Sequence, residues 1–329
     1  MFDFSEKFGG FIVRYSFGNW NSFAPYYSAS STQHFLQKCY EKLKDTNANQ
    51  KSYENSYPFI YYIEHGQLYF GQAEKAPLTM QPILLFYGLV HLIKACILTV
   101  DPNYPETTSV LAHGVSTRKR KKQHYSFFQD EVKVQKNGLF PFMSEKMFHM
   151  KQLEGDKICM GDLLKYIPEL NDLYLKMEGH QTFVDVDVTD EFLSFPKSIL
   201  DLYHMTEDRF VDYYHSISKS QVSLSNSEKK KIILKRDDGG LHDVSPLRVN
   251  SFNNRYSLSI SRGNILLYPE LLIHYLLLYN LSMIARYEIE WWSELIKTMP
   301  NKDYPFISTF LNITLEKGPI LILEYLNGK

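Results

Sequence analysis

Tyr87, His91 and Lys94 follow one another at steps of four and three residues inside an otherwise apolar run, PILLFYGLVHLIKACILTV (Pro82–Val100). That spacing puts all three on one face of a helix. The three could line a pocket with His91 as acid–base, since imidazole is the side chain suited to moving a proton near neutral pH. The same stripe also fits a satisfied core histidine beside a lysine that snorkels to the surface.

A second concentration of chemistry lies in VDPNYPETTSVLAHGVSTRKRKKQHYSFF, where Arg118, Lys119, Arg120, Lys121 and Lys122 form an unbroken basic run. Clustered guanidinium and ammonium groups meet phosphate by charge and by forked hydrogen bonds. His113, His124, Tyr125, Phe127 and Phe128 nearby supply rings for stacking. The run equally fits a solvated loop or a docking patch for an acidic protein surface. Asp185 and Asp187 share one face of the alternating TFVDVDV segment, which suits either a divalent cation or the wet side of an edge strand.

Cys39, Cys96 and Cys159 are odd in number and widely spaced, with neither a zinc pattern nor a disulfide framework. The sequence has no Walker loop, no GxGxxG after a strand, no GxSxG and no HExxH. No metal site and no cofactor is expected.

The elements that must position these groups begin with two apolar helices. Pro82–Val100 is apolar on nearly every side, yet Lys94 cuts its uncharged run short of the ~20 residues a bilayer needs, so it reads as a core helix. The second helix is expected over Pro269–Met299, with Pro269 at its start, Glu270 at the positive end, Lys297 in the last turn and Pro300 as the stop. Its first half is apolar all round, and its second half carries a polar stripe of Ser282, Arg286, Glu290, Glu294 and Lys297. Neither face can be left in water, which predicts that the two helices bury each other.

Elsewhere, the spacing predicts helices from Ser31 to Leu43 and from Pro58 to Ala73, with Asp45–Ser56 as a polar loop and residues 1–30 as an irregular arm. A strand is expected within His124–Val134, a short helix over Phe142–Met150, and an amphipathic helix over Gly161–Met177 with Pro168 as its weak point. Strands are expected at Thr182–Val188 and Lys230–Lys235, helices within Pro196–Ile217, and a hairpin of Tyr256–Ile260 with Asn264–Tyr268. Tyr304–Ile313 and Pro319–Leu326 read as two short closing helices.

Length and composition agree with this picture. The 329 residues, 44% hydrophobic and 15% aromatic, suffice for a sizeable core. A net charge of −1 gives no overall pull toward nucleic acid or anionic lipid, so any such attraction must be local. Early acids and the lack of an apolar leader point to a cytoplasmic protein away from membranes.

Taken together, FYGLVHLIKACIL, HGVSTRKRKK, ELLIHYLLLYNLSMIARYEIEWW and NKDYPFI resemble the YaaC-like family over most of the chain. In relatives of that family the gene neighbours the one for IMP dehydrogenase, so the resemblance implies a link to purine metabolism, with a purine nucleotide or RNA as ligand and IMP dehydrogenase as protein partner. The helix FYGLVHLIKACIL is also similar to a helix of HEPN domains. Many HEPN proteins are metal-independent ribonucleases that use an arginine followed, after four to six residues, by a histidine. Arg118/His124 and Arg209/His215 have that spacing, and only the second pair falls on an expected helix. On that resemblance His215 would be the general base and Arg209 would stabilise phosphate charge.

The expected fold is mainly α, a HEPN-like helical bundle built from residues 1–180 and 269–329, with residues 181–268 as an α+β insert. The expected function is that of a non-catalytic regulatory or interaction protein that binds a nucleotide or an enzyme of purine nucleotide metabolism through Arg118–Lys122, His91, Lys94 and His113. The alternative is a HEPN-type ribonuclease using Arg209 and His215.

Overall fold

The computed structural model describes residues 20–117, 125–151, 153–218, 221–236 and 244–329. The chain opens with α1 (Ala29–Lys42), α2 (Ala48–Lys75) and α3 (Gln81–Leu98). It continues through β1 (Val115–Thr117), β2 (Glu131–Val134), α4 (Leu139–Phe148), β3 (Lys157–Cys159) and α5 (Met160–Leu164). Next come α6 (Asn171–Glu178), β4 (Phe183–Val188), β5 (Phe192–Pro196), α7 (Ile199–Tyr203) and α8 (Glu207–Ile217). Four strands follow, β6 (Val222–Ser227), β7 (Lys231–Arg236), β8 (Arg248–Asn250) and β9 (Arg255–Ser259). Last are α9 (Glu270–Tyr287), α10 (Ile289–Thr298) and α11 (Asp303–Asn327). The fold is mainly helical with antiparallel sheets, and its contacts separate residues 20–164 with Pro269–Lys329 from Lys165–Tyr268.

The first of these units is a helical bundle around α3, whose Leu85, Phe86, Leu89, Leu92, Ile93 and Cys96 are buried. α3 packs most extensively on α2 and also on α9 and α11, so the two apolar helices expected to bury each other do so. α3 and α11 each have the length and hydropathy of a membrane-crossing helix, and more than half of each is buried within the bundle.

Where α2 crosses α3, glycines face each other. A Cβ on Gly66 would collide with Cγ and Cδ2 of Leu92 and lie 3.4 Å from the Gly88 carbonyl oxygen. One on Gly88 would lie 2.8 Å from the Phe70 ring and 3.0 Å from Tyr69 Cβ. Only the absence of side chains allows the backbones this near.

α9 and α11 share a buried polar cluster. Lys317 Nζ lies 2.6 Å and His274 Nε2 3.5 Å from Glu270 Oε1. Thr314 donates its hydroxyl to Phe310 O at 3.0 Å, leaving its oxygen to accept from His274 Nδ1 at 2.8 Å. β1, β2 and β3 form a small antiparallel sheet in the same unit.

The second unit is a six-stranded antiparallel sheet in the order β6-β7-β5-β4-β9-β8. Alternation puts Leu193, Phe195, Ile232 and Leu234 in the interior, where Phe195 meets Phe210 at 5.3 Å and Tyr214 at 4.9 Å from α8. Asp185 and Asp187 face outward and are each paired, with Arg255 at 2.6 Å and Lys231 at 2.8 Å. The Arg248 guanidinium donates to the carbonyls of Tyr166 and Tyr268, which clips together the two ends of this unit's chain.

Several expectations are corrected. α2 begins at Ala48, within the stretch expected as a loop; Ser52 and Ser56 are buried and return their hydroxyls to Asn49 O and Tyr53 O. The long helix of 269–299 is two, separated at Glu288 (φ −117°, ψ 49°), which lets Trp292 bury itself and donate to Thr79 O at 3.0 Å. The two closing helices are one, α11, running through Pro319. Burial of Phe306, Ile307, Phe310 and Leu311 before that proline and of Ile322 and Leu326 after it outweighs a disruption of about 3 kcal/mol. The hairpin at 256–268 does not form: β9 pairs with β4 and β8, and Asn264–Leu267 is a 3-10 turn. Within 161–177 the helix stops at Leu164 and restarts after Pro168. Within 125–134 only Glu131–Val134 is strand, preceded by a 3-10 turn at Phe127–Gln129.

The glycine crossing makes a paired prediction. Gly66→Val should lower stability by about 3 kcal/mol, because the new methyls meet the branch carbon of Leu92 instead of a flexible tip. Gly71→Ala on the same helix, where a Cβ meets nothing within 4 Å, should raise stability by up to about 1 kcal/mol. Urea denaturation of both variants checks the contrast. By the same measure Lys317→Met should cost about 3–5 kcal/mol by stranding a buried carboxylate, and adding Glu270→Gln should recover part of that loss.

Candidate functional site

The crossing of α2 over α3 brings two side-chain stripes together. α3 contributes Tyr87, His91 and Lys94. α2 contributes Tyr62, His65 and Tyr69, at steps of three and four residues. His91 is the meeting point. Its ring lies 5.3 Å from His65, 5.4 Å from Tyr69 in a stacked arrangement, and 6.2 Å from Tyr62. Lys94 Nζ sits 5.7 Å from the centre of the Tyr62 ring. His91, Lys94, Tyr62, Tyr69 and Tyr87 are half-buried and His65 is exposed, so the cluster opens at the surface.

Two further side chains complete it. Arg286, in the last turn of α9, donates from Nη1 to the Tyr87 hydroxyl at 3.1 Å and lies 5.8 Å from the centre of that ring. His113 packs 6.1 Å from Tyr87, 5.0 Å from Phe86 and 5.7 Å from Tyr279. Its backbone carbonyl accepts from the Tyr275 hydroxyl at 2.7 Å and from Phe140 N at 3.1 Å, which fixes the loop in place. Gly114 follows at φ +78°, a left-handed turn that leads His113 into β1.

The electrostatics of the cluster are one-sided. Among the described residues no carboxylate lies within 4 Å of Lys94 or Arg286. Burial, then Lys94, then His65 push the His91 pKa down to about 4. Burial, Arg286 and Lys94 lower that of His113, and burial lowers that of Lys94. His91 Nδ1 is buried without a hydrogen-bond partner. Fixed positive charge and imidazoles held toward the neutral form thus meet here among aromatic faces.

Of the residues expected to bind ligand, His91, Lys94 and His113 are therefore neighbours in one cluster. Arg118–Lys122 and His124 lie outside the described residues. Arg209 and His215 both lie on α8, exposed, six positions apart and about 120° apart around the helix axis. Among the described residues no group of three or more His, Cys, Asp or Glu side chains could hold a metal ion. The sequence reading missed the roles of Tyr62, His65, Tyr69 and Arg286. The α2 residues carry a legible signal, three ring side chains on one helical face, whereas nothing local links Arg286 to a helix almost 200 residues earlier.

The sequence model of the YaaC-like protein family matches residues 24–326. The chain belongs to the YaaC-like family. That match spans both the helical unit, with the cluster around His91, and the sheet unit. No curated protein and no solved structure matches it significantly.

The depressed His91 has a stability consequence. Its folded pKa of about 4 lies below the ordinary value of about 6.5, so between those pH values the unfolded chain binds a proton that the folded chain does not. His91 therefore costs no stability above about pH 6.5 and progressively more as the pH falls toward 4. His91→Gln should lose less stability than the parent between pH 7 and pH 4.5, measured by urea denaturation at each pH.

Proposed function

We propose that this YaaC-like protein is a non-catalytic regulatory or interaction protein whose helical unit binds a purine nucleotide at the cluster around His91. The observation that carries the reading is that, among the described residues, no carboxylate lies within 4 Å of Lys94 or Arg286 in a site walled by Tyr62, Tyr69, Tyr87 and His91. Two half-buried cations left without a counter-ion are costly unless something else supplies the negative charge. The rings offer faces on which a base can stack, worth about 1–3 kcal/mol per base. The packing of the α3 stripe against α2 also supports a HEPN-like relationship for the bundle. A protein of purine nucleotide metabolism such as IMP dehydrogenase fits the same reading as a partner.

Isothermal titration of the full chain with purine nucleotides tests this. Binding is expected in the parent, and Arg286→Gln and Lys94→Gln should each weaken it at least tenfold without lowering the melting temperature by more than a few degrees. Equal affinity in both variants would remove the site assignment. The rival reading as a metal-independent ribonuclease would need RNA cleavage that survives EDTA and disappears in His215→Ala.

A further inference from the structure

We infer that the site is built for the terminal phosphate monoester of a nucleotide, a dianion, rather than for the internal phosphodiester of an RNA chain. The inference rests on the nucleotide-binding reading and narrows it to one ligand class.

Donor geometry comes first. Of the five N–H donors of an arginine, three on Arg286 are engaged, Nε with Ser282 O at 3.1 Å, Nη1 with the Tyr87 hydroxyl at 3.1 Å and Nη2 with Met283 Sδ at 3.1 Å. That leaves one N–H on each terminal nitrogen to meet phosphate oxygens. Lys94 makes no hydrogen bond among the described residues, so all three of its donors are unused. A terminal phosphate presents three non-bridging oxygens to such a set, whereas a diester presents two and must thread its chain past the site on both sides.

Charge matching points the same way. Lys94 and Arg286 supply two fixed positive charges, and His91 and His113 are held toward the neutral form. A monoester with about −1.5 to −2 charge near neutral pH balances those two cations, whereas a diester with one charge leaves a cation uncompensated. His113 packs against Tyr87, the ring whose hydroxyl Arg286 holds, so the phosphate is placed on that side of Tyr87. The base would then reach the rings of Tyr69, His91 and Tyr62, on the other side of Tyr87.

Titration calorimetry of the full chain with a purine nucleoside, its 5′-monophosphate and its 3′,5′-cyclic monophosphate tests the inference. All three carry the same base, and only the second has a terminal dianion. The expected result is that the 5′-monophosphate binds at least tenfold more tightly than the cyclic form and that the nucleoside binds most weakly. Arg286→Lys, which keeps the charge and loses the fork, should shrink that preference. Equal affinity for the linear and cyclic monophosphates would overturn the dianion inference while leaving nucleotide binding intact. Absence of binding by every member of the panel would overturn both.

Discussion

Everything around His91 depends on how closely α2 and α3 approach at Gly66 and Gly88. With side chains at those positions the helices would stand further apart, and the rings of Tyr62 and Tyr69 would no longer reach across to His91. The same crossing seats Phe70 against Gly88, and Gly318 of α11 brings the third helix onto the other edge of that ring at 3.0 Å from where a Cβ would be. One aromatic ring and three glycines thus set the spacing of three core helices, and the site is a surface consequence of that core contact.

The chemistry follows from what the packing withholds. The buried cation of the α9–α11 cluster has a partner: Lys317 Nζ lies against Glu270, with the His274 ring beside them. Outward-facing charges of the sheet unit are matched as well, Asp185 with Arg255 and Asp187 with Lys231. Lys94 and Arg286 stand apart from this pattern, half-buried and without a carboxylate within 4 Å among the described residues. On the proposed reading, these two open charges among aromatic walls are where an incoming anion would sit.

Much of the core was legible in the sequence because its signal is local. The all-round apolar character of Pro82–Val100 and the first half of Pro269–Met299 required mutual burial, and α3 and α9 do pack together. The alternation of TFVDVDV marked β4 for the same reason. Legibility ended where long-range packing overrode local preference. Ser52 and Ser56 made the start of α2 look like a loop, yet tertiary burial holds it helical. Pro319 looked like the start of a separate helix, but apolar residues on both sides anchor α11 through it. At Glu288 the helix breaks without a proline or glycine, since the gain comes from seating Trp292. Half of the site was visible in the same way: Tyr87, His91 and Lys94 declare themselves by spacing, whereas Arg286 joins them only through the three-dimensional meeting of α3 and α9.

The central claim is that an anionic, base-bearing ligand sits on the cluster around His91. The most direct test is the set of histidine side-chain nitrogen resonances followed by NMR during titration with a purine nucleoside 5′-monophosphate. Binding at this site predicts that His91, His113 and His65 shift together and saturate at one concentration, while buried His274 and exposed His215 stay unmoved. Saturable binding that leaves His91 and His113 unchanged would contradict the account.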